Sequence, residues 1–113
     1  MKIKNLAAIP ELRLATKNTT AEHDFGSVYI CDMLSVVLAK SAPGDIWVTI
    51  QTHKNIIGVA SIKNIPAIII AENFRPDDET IMKAEEENIA IFLSAEPVFK
   101  IAKILAELES QKD

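Results

Sequence analysis

The sequence predicts an α/β fold, a three-layer α/β/α sandwich around a mostly parallel sheet of about five strands. Three observations predict it. From Ile46 onward, strand-like runs alternate with helical patterns in the order βαβαβα, the signature of parallel strands joined by crossover helices. The longest nearly apolar run, Ile65 to Ala71, has the length of a buried strand and is far too short to span a membrane. Hydrophobic residues make up 49% of the chain but aromatics only 5%, so Ile, Val, Leu and Ala must fill the core, which suits a sheet covered on both faces.

Each element follows in order. Residues 2–9 read as a short helix stopped by Pro10. Leu12 and Leu14 alternate with Glu11 and Arg13, giving a short strand with one wet face. Thr16–Asp24 is polar and reads as a loop. Gly26–Cys31 is a second strand, and Asp32 at its end is expected to cap a helix running to about Lys40. Pro43-Gly44 makes a turn, since Pro presets φ and Gly accepts positive φ. Then come strand Ile46–Gln51, helix His53–Lys63, strand Pro66–Ala71, helix Asp77–Glu87, strand Ile89–Leu93 and helix Glu96–Ser110. Asn64 and Asn88 stand at the two helix-to-strand junctions, where Asn tolerates the left-handed conformation that ends helices.

The last helix places Val98, Ile101, Ala102, Leu105 and Leu108 on one side, with Lys100, Lys103 and Glu107 opposite. The helices at 33–39 and 53–63 are instead apolar nearly all round, which predicts cover on more than one side. In a domain this small, that cover is expected from a second copy, making a homodimer.

A length of 113 residues fits one domain, 1–113. The net charge of −4 argues against nucleic acid as a partner. Cys31 is the only cysteine, so no disulfide, zinc ribbon or iron–sulfur cluster forms within the chain; it is expected reduced and buried. No export signal or membrane span is legible, so a cytoplasmic location is expected.

Several chemistries are excluded. Gly26, Gly44 and Gly58 are isolated from one another, so there is no phosphate-cradling loop, no Lys-Ser/Thr pair behind one and no dinucleotide fingerprint. Kinase activity is not expected. His23-Asp24 could join Cys31 or Asp32 around a metal, but no ligand spacing supports it, and no metal or cofactor is expected. A Cys31–His53 nucleophilic pair lacks an orienting motif. Asp77-Asp78-Glu79 complement a helix dipole, and Glu85-Glu86-Glu87 read as a solvated face.

What remains is a set of polar residues at strand carboxyl ends: Gln51, Thr52, His53 and Asn55 after one strand, Glu72 and Asn73 after the next, Ser94 after the last. In open parallel sheets this edge binds ligands. The candidate ligand-binding residues are therefore Gln51, Thr52, His53, Asn55, Asn73 and Ser94. The competing explanation is that Thr52 and Ser94 only cap helices. His53 at the amino end of a helix is expected to be a neutral, hydrogen-bonding imidazole close to Asn73, and in an enzyme it would be the general base.

From Ser27 to Ala60 the chain resembles the DRTGG domain family. The matching residues are Val28-Tyr29-Ile30-Cys31-Asp32-Met33-Leu34-Ser35, like that family's strand–SDLLS element, and Pro43-Gly44-Asp45-Ile46-Trp47-Val48-Thr49-Ile50-Gln51-Thr52-His53-Lys54-Asn55, like its GD-W-T-Q-H-N segment. Pro76-Asp77-Asp78-Glu79-Thr80 and Lys83-Ala84-Glu85-Glu86 extend the likeness. The eponymous motif would fall on residues 22–27, where Gly26 alone matches. The family is similar to the amino-terminal domain of HPr kinase/phosphorylase, which lacks the kinase site, and it accompanies CBS domains and phosphotransacetylases. The resemblance implies a regulatory or accessory domain with a small-molecule ligand or a protein partner. Stand-alone members are associated with iron-hydrogenase systems, which makes a hydrogenase-related protein the implied partner.

Overall fold

The computed structural model describes residues 2–17 and 23–111. The elements are α1 (Ile3–Ala7), β1 (Arg13–Leu14), β2 (Val28–Ile30), α2 (Leu34–Lys40), β3 (Ile46–Thr49), α3 (Asn55–Lys63), β4 (Ala67–Ile70), α4 (Asp78–Glu86), β5 (Ala90–Leu93) and α5 (Val98–Ser110). They form one five-stranded sheet in the order β1-β5-β4-β3-β2. β2, β3, β4 and β5 are parallel neighbours, and β1 pairs antiparallel with β5, Arg13 lying opposite Leu93. The predicted α/β sandwich with a mostly parallel sheet is the fold observed.

Alternation along the strands divides the core between two faces. Trp47, Ile68, Ile70, Ile91 and Leu93 point to one face and pack under α2, α3 and α4. Ile46, Val48, Ala67, Ile69, Ala90 and Phe92 point to the other, under α1 and α5. Trp47, Phe92 and the strand isoleucines Ile46, Ile68, Ile69, Ile70 and Ile91 are all fully buried. Burying one such side chain is worth about 1.5–3 kcal/mol relative to exposure. The parallel strands advance across the sheet in chain order, so their right-handed crossovers α2, α3 and α4 all fall on one face. After β2 the chain returns to the other face, where α1 already lies, only through α5.

The predicted turn residues take the expected conformations. Asn64 (φ 56°), Asn88 (φ 58°) and Gly44 (φ 87°) have positive φ. Other expectations are corrected. Asp32 does not cap α2, whose N-cap is Met33 with no side-chain bond, because its carboxylate is engaged by β3 instead. The third helix begins at Asn55, two residues later than expected. Thr16 is buried, not part of a wet loop: Ala15 N donates to Ile91 O (2.8 Å) and Ile91 N to Thr16 Oγ1 (3.2 Å), continuing the β1–β5 edge. Residues 18–22 of that expected loop, and so the first residue of the 22–27 segment, lie outside the described residues. Glu85 is half-buried and accepts from Lys17 N (2.7 Å), so it is not simply a solvated face. Cys31 is half-buried, its thiol 3.7 Å from Met33 O. Among the described residues, no helix is long and apolar enough to cross a membrane.

Candidate functional site

The carboxyl edge of the sheet is built from three loops, and they are not equivalent. After β3 the chain turns onto the α2–α3–α4 face. Thr49, fully buried, donates through Oγ1 to Asp32 Oδ1 (2.8 Å), and Ile50 N donates to the same oxygen (2.9 Å). Gln51 N donates to Thr49 Oγ1 (3.1 Å) and Gln51 Nε2 to Asp32 O (2.9 Å). Trp47 Nε1 donates to Cys31 O (2.8 Å). The ends of β2 and β3 are thereby fastened together through residues 31–32. Gln51 spends its amide donor on that fastening.

Thr52 is half-buried, and His53 and Asn55 are exposed. Asn55 N donates to His53 Nδ1 (3.1 Å), so this imidazole covers a free amide at the start of α3. Accepting at Nδ1 requires that nitrogen to be unprotonated, which leaves Nε2 as the donor. The nearby acidic group is Asp77, the N-cap of α4. Asp77 is held below the usual carboxylate value chiefly by the hydroxyl and amide of Thr80, with smaller electrostatic help from Lys54 and His53. Lys54 Nζ also lies 3.3 Å from Glu79 Oε1.

After β4 the backbone makes two successive left-handed steps, Glu72 (φ 64°) and Asn73 (φ 62°). Such a conformation suits Asn but costs Glu roughly 1–2 kcal/mol, so the surroundings must hold it. They do so through the β5–α5 loop: Glu72 N donates to Glu96 O (2.9 Å) and Asn73 N to Ser94 O (2.8 Å). Ser94 is buried, and its Oγ accepts from Glu96 N (3.1 Å). Its hydroxyl therefore shapes the loop but does not cap α5, whose N-cap is Pro97 with no side-chain bond, and Thr52 likewise does not cap α3, whose N-cap is Lys54.

This meeting of loops has a topological cause. The chain leaves β4 toward α4 on one face and leaves β5 toward α5 on the other. Two neighbouring parallel strands whose connections part to opposite faces form the switch point at which open α/β sheets hold ligands. The crevice here has a volume of about 300 Å³ and is lined by Asn73, Phe74 and Arg75, by Ser94 and Ala95, and by Pro10–Arg13 entering β1. Of the sequence-based candidates, Asn73 and Ser94 meet at this crevice. Gln51, Thr52, His53 and Asn55 lie over β3, where both neighbouring connections go to the same face, and none of them lines it. The His53 ring accepts from the Asn55 amide, not from Asn73 or Ser94.

A second concavity, about 920 Å³, opens between α2, α3 and α4. Leu34, Leu38, Val59, Ile62 and Met82 line it, with Lys54, Glu79, Lys83 and Glu86 around them. Gly58 leaves its floor bare; a methyl group there would meet nothing within 4 Å. Among the described residues, no group of three or more His, Cys, Asp or Glu side chains is placed to hold a metal ion.

No family model matches the chain, and no curated protein matches it either. Among solved structures it is similar to the CBS and DRTGG domains of the regulatory region of Clostridium perfringens pyrophosphatase, crystallised with the activator diadenosine tetraphosphate. The TM-score is 0.75 at 16% identity, over 90% of this chain and 44% of that one. The chain thus spans less than half the length of that neighbour, and the likeness at this identity is one of fold.

Proposed function

We propose that this chain is a non-catalytic regulatory domain of the DRTGG type, one that binds a small ligand along the carboxyl edge of its sheet and works as a homodimer. The observation that carries the reading is the switch-point crevice between β4 and β5. Its two loops are tied by main-chain hydrogen bonds from two residues in left-handed conformations, an arrangement that pre-forms a cavity before any ligand arrives. Gln51, Thr52, His53 and Asn55 extend the site along the edge, and Asn73 and Ser94 form its crevice end. The fold-level likeness to a regulatory region that holds an activator supports a regulatory role over a catalytic one. An enzyme using His53 as general base would need a nucleophile or metal beside it. The ring instead accepts from a main-chain amide of its own loop.

A thermal-shift screen tests the reading, because a ligand bound only to the folded state raises Tm by mass action, by about 2.7 kcal/mol of stability at a hundredfold excess over Kd. At least one small metabolite is expected to raise Tm, with the shift reduced in Asn73→Ala or His53→Ala. A broad screen without any shift would remove the ligand-binding claim. An accessory role beside an iron-hydrogenase system rests on the sequence resemblance alone. Co-purification of tagged chain with hydrogenase subunits checks it.

A further inference from the structure

We infer that the crevice between β4 and β5 is an oxyanion site, taking a small molecule that joins a phosphate or carboxylate to a planar ring. The inference rests on the reading that the strand edge binds a ligand, and deepens it by assigning the ligand's chemistry and its anchors.

The chain contains only two arginines, Arg13 and Arg75, and both line this one crevice. They arrive from distant parts of the sequence. Arg13 comes from β1, which is drawn to the sheet edge by its antiparallel register with Leu93, and Arg75 comes from the β4–α4 loop. Neither is consumed by the protein. Among the described residues Arg13 has no ion-pair partner, and Arg75 has only Asp78 at 3.8 Å, a pair 52% and 94% exposed that contributes little in water. Guanidinium groups are the side chains best suited to phosphate and carboxylate, because their fork of donors matches two oxygens at once.

The chain carries a net charge of −4, so two arginines in one crevice, one unpaired among the described residues and one with only an exposed partner, are a local exception to its surface. Phe74 sits between Asn73 and Arg75, is 50% exposed and lines the same opening. An aromatic ring beside guanidinium groups suits a flat ligand, which can stack on one and lie against the other. Glu11 completes the lining as an acceptor for a ligand N–H or O–H. The volume of about 300 Å³ is at the small end of ligand pockets, which favours one small planar ring system with one anionic group.

Calorimetric titration of the full chain with AMP, benzoate, adenosine and inorganic phosphate tests this. AMP or benzoate is expected to bind, and which of the two does so separates a phosphate ester from a carboxylate. Adenosine and phosphate alone should bind at least tenfold more weakly. Arg13→Gln and Arg75→Gln should each weaken the bound compound at least tenfold and leave the Tm of the free protein unchanged, while Lys103→Gln on α5 leaves binding intact. Phe74→Ala should weaken the ring-bearing compound but not inorganic phosphate. Failure of both AMP and benzoate to bind at millimolar concentration overturns the inference. Binding that survives both arginine changes but is lost in His53→Ala also overturns it, placing the ligand over β3 and leaving the broader strand-edge reading standing.

Discussion

Asp32 shows how one carboxylate can organise a sheet edge. It receives the buried Thr49 hydroxyl and the Ile50 amide on one oxygen, while its own carbonyl receives Gln51. Replacing it with Ala would strand a buried hydroxyl and an amide at the end of β3. Asp32→Ala is therefore expected to cost about 1–3 kcal/mol, the usual penalty for leaving such groups unsatisfied. Urea denaturation checks this, and Asp32→Asn, which keeps one acceptor oxygen, should lose less. An Asp32→Ala protein as stable as the parent would show that water replaces the carboxylate. Glu72 is the other instructive residue. Nothing in its side chain favours a left-handed conformation, and its backbone is held there by Glu96 O.

Among the elements, α4 is the best specified locally. Asp77 Oδ1 accepts from Thr80 N (2.9 Å), and Asp78 and Glu79 add negative charge at the positive end of the helix. Because the folded state lowers the Asp77 pKa below the reference value of 3.8, its contribution is fully present above that value. It is lost as pH falls below 3.8 through the depressed folded value. Thermal melts across the acid range should show stability falling there, and Asp77→Asn, which keeps the cap but cannot titrate, should flatten that part of the profile. An unchanged acid limb would mean that Asp77 is not one of the groups responsible. The third helix behaves differently. Ile56, Ile57, Val59 and Ala60 are buried, but Ile62 remains 72% exposed, so the face that looked apolar in sequence is left partly uncovered by its own chain.

For the whole molecule, that uncovered face leads to the expected homodimer. Leu38, Ile62 and Met82 are exposed around the groove between α2, α3 and α4, and its charged lining has two lysines and two glutamates. A two-fold axis presents the same patch to itself, so an even balance of charge lets Lys54 and Lys83 of one copy face Glu79 and Glu86 of the other. Light scattering at micromolar concentration is expected to give a dimer, and Ile62→Lys to give a folded monomer of 12.4 kDa. An interface of this kind should bury at least about 1,000 Å² in total. A parent protein that is monomeric under those conditions would end the dimer claim.

The sequence by itself determined the succession of strands and helices, the α/β class, and the turns at Gly44, Asn64 and Asn88. These depend on periodicity and on the φ preference of single residues, both of which act over a few positions. It also placed Asn73 and Ser94 at one edge, because strand ends in a parallel sheet share an edge whatever their order. Only the tertiary structure decided which strand lay beside which, and therefore which helices shared a face. That choice put the parting of connections between β4 and β5 and left His53 away from it. It turned Asp32 from an expected cap into the clasp of β2 and β3, since a carboxylate goes to the donors that burial makes most costly to leave unpaired. It also brought Arg13 and Arg75, 62 residues apart in the chain, to one crevice through the pairing of β1 with β5. No local pattern encodes such a meeting, because it is set by how the two sheet faces are shared among five helices.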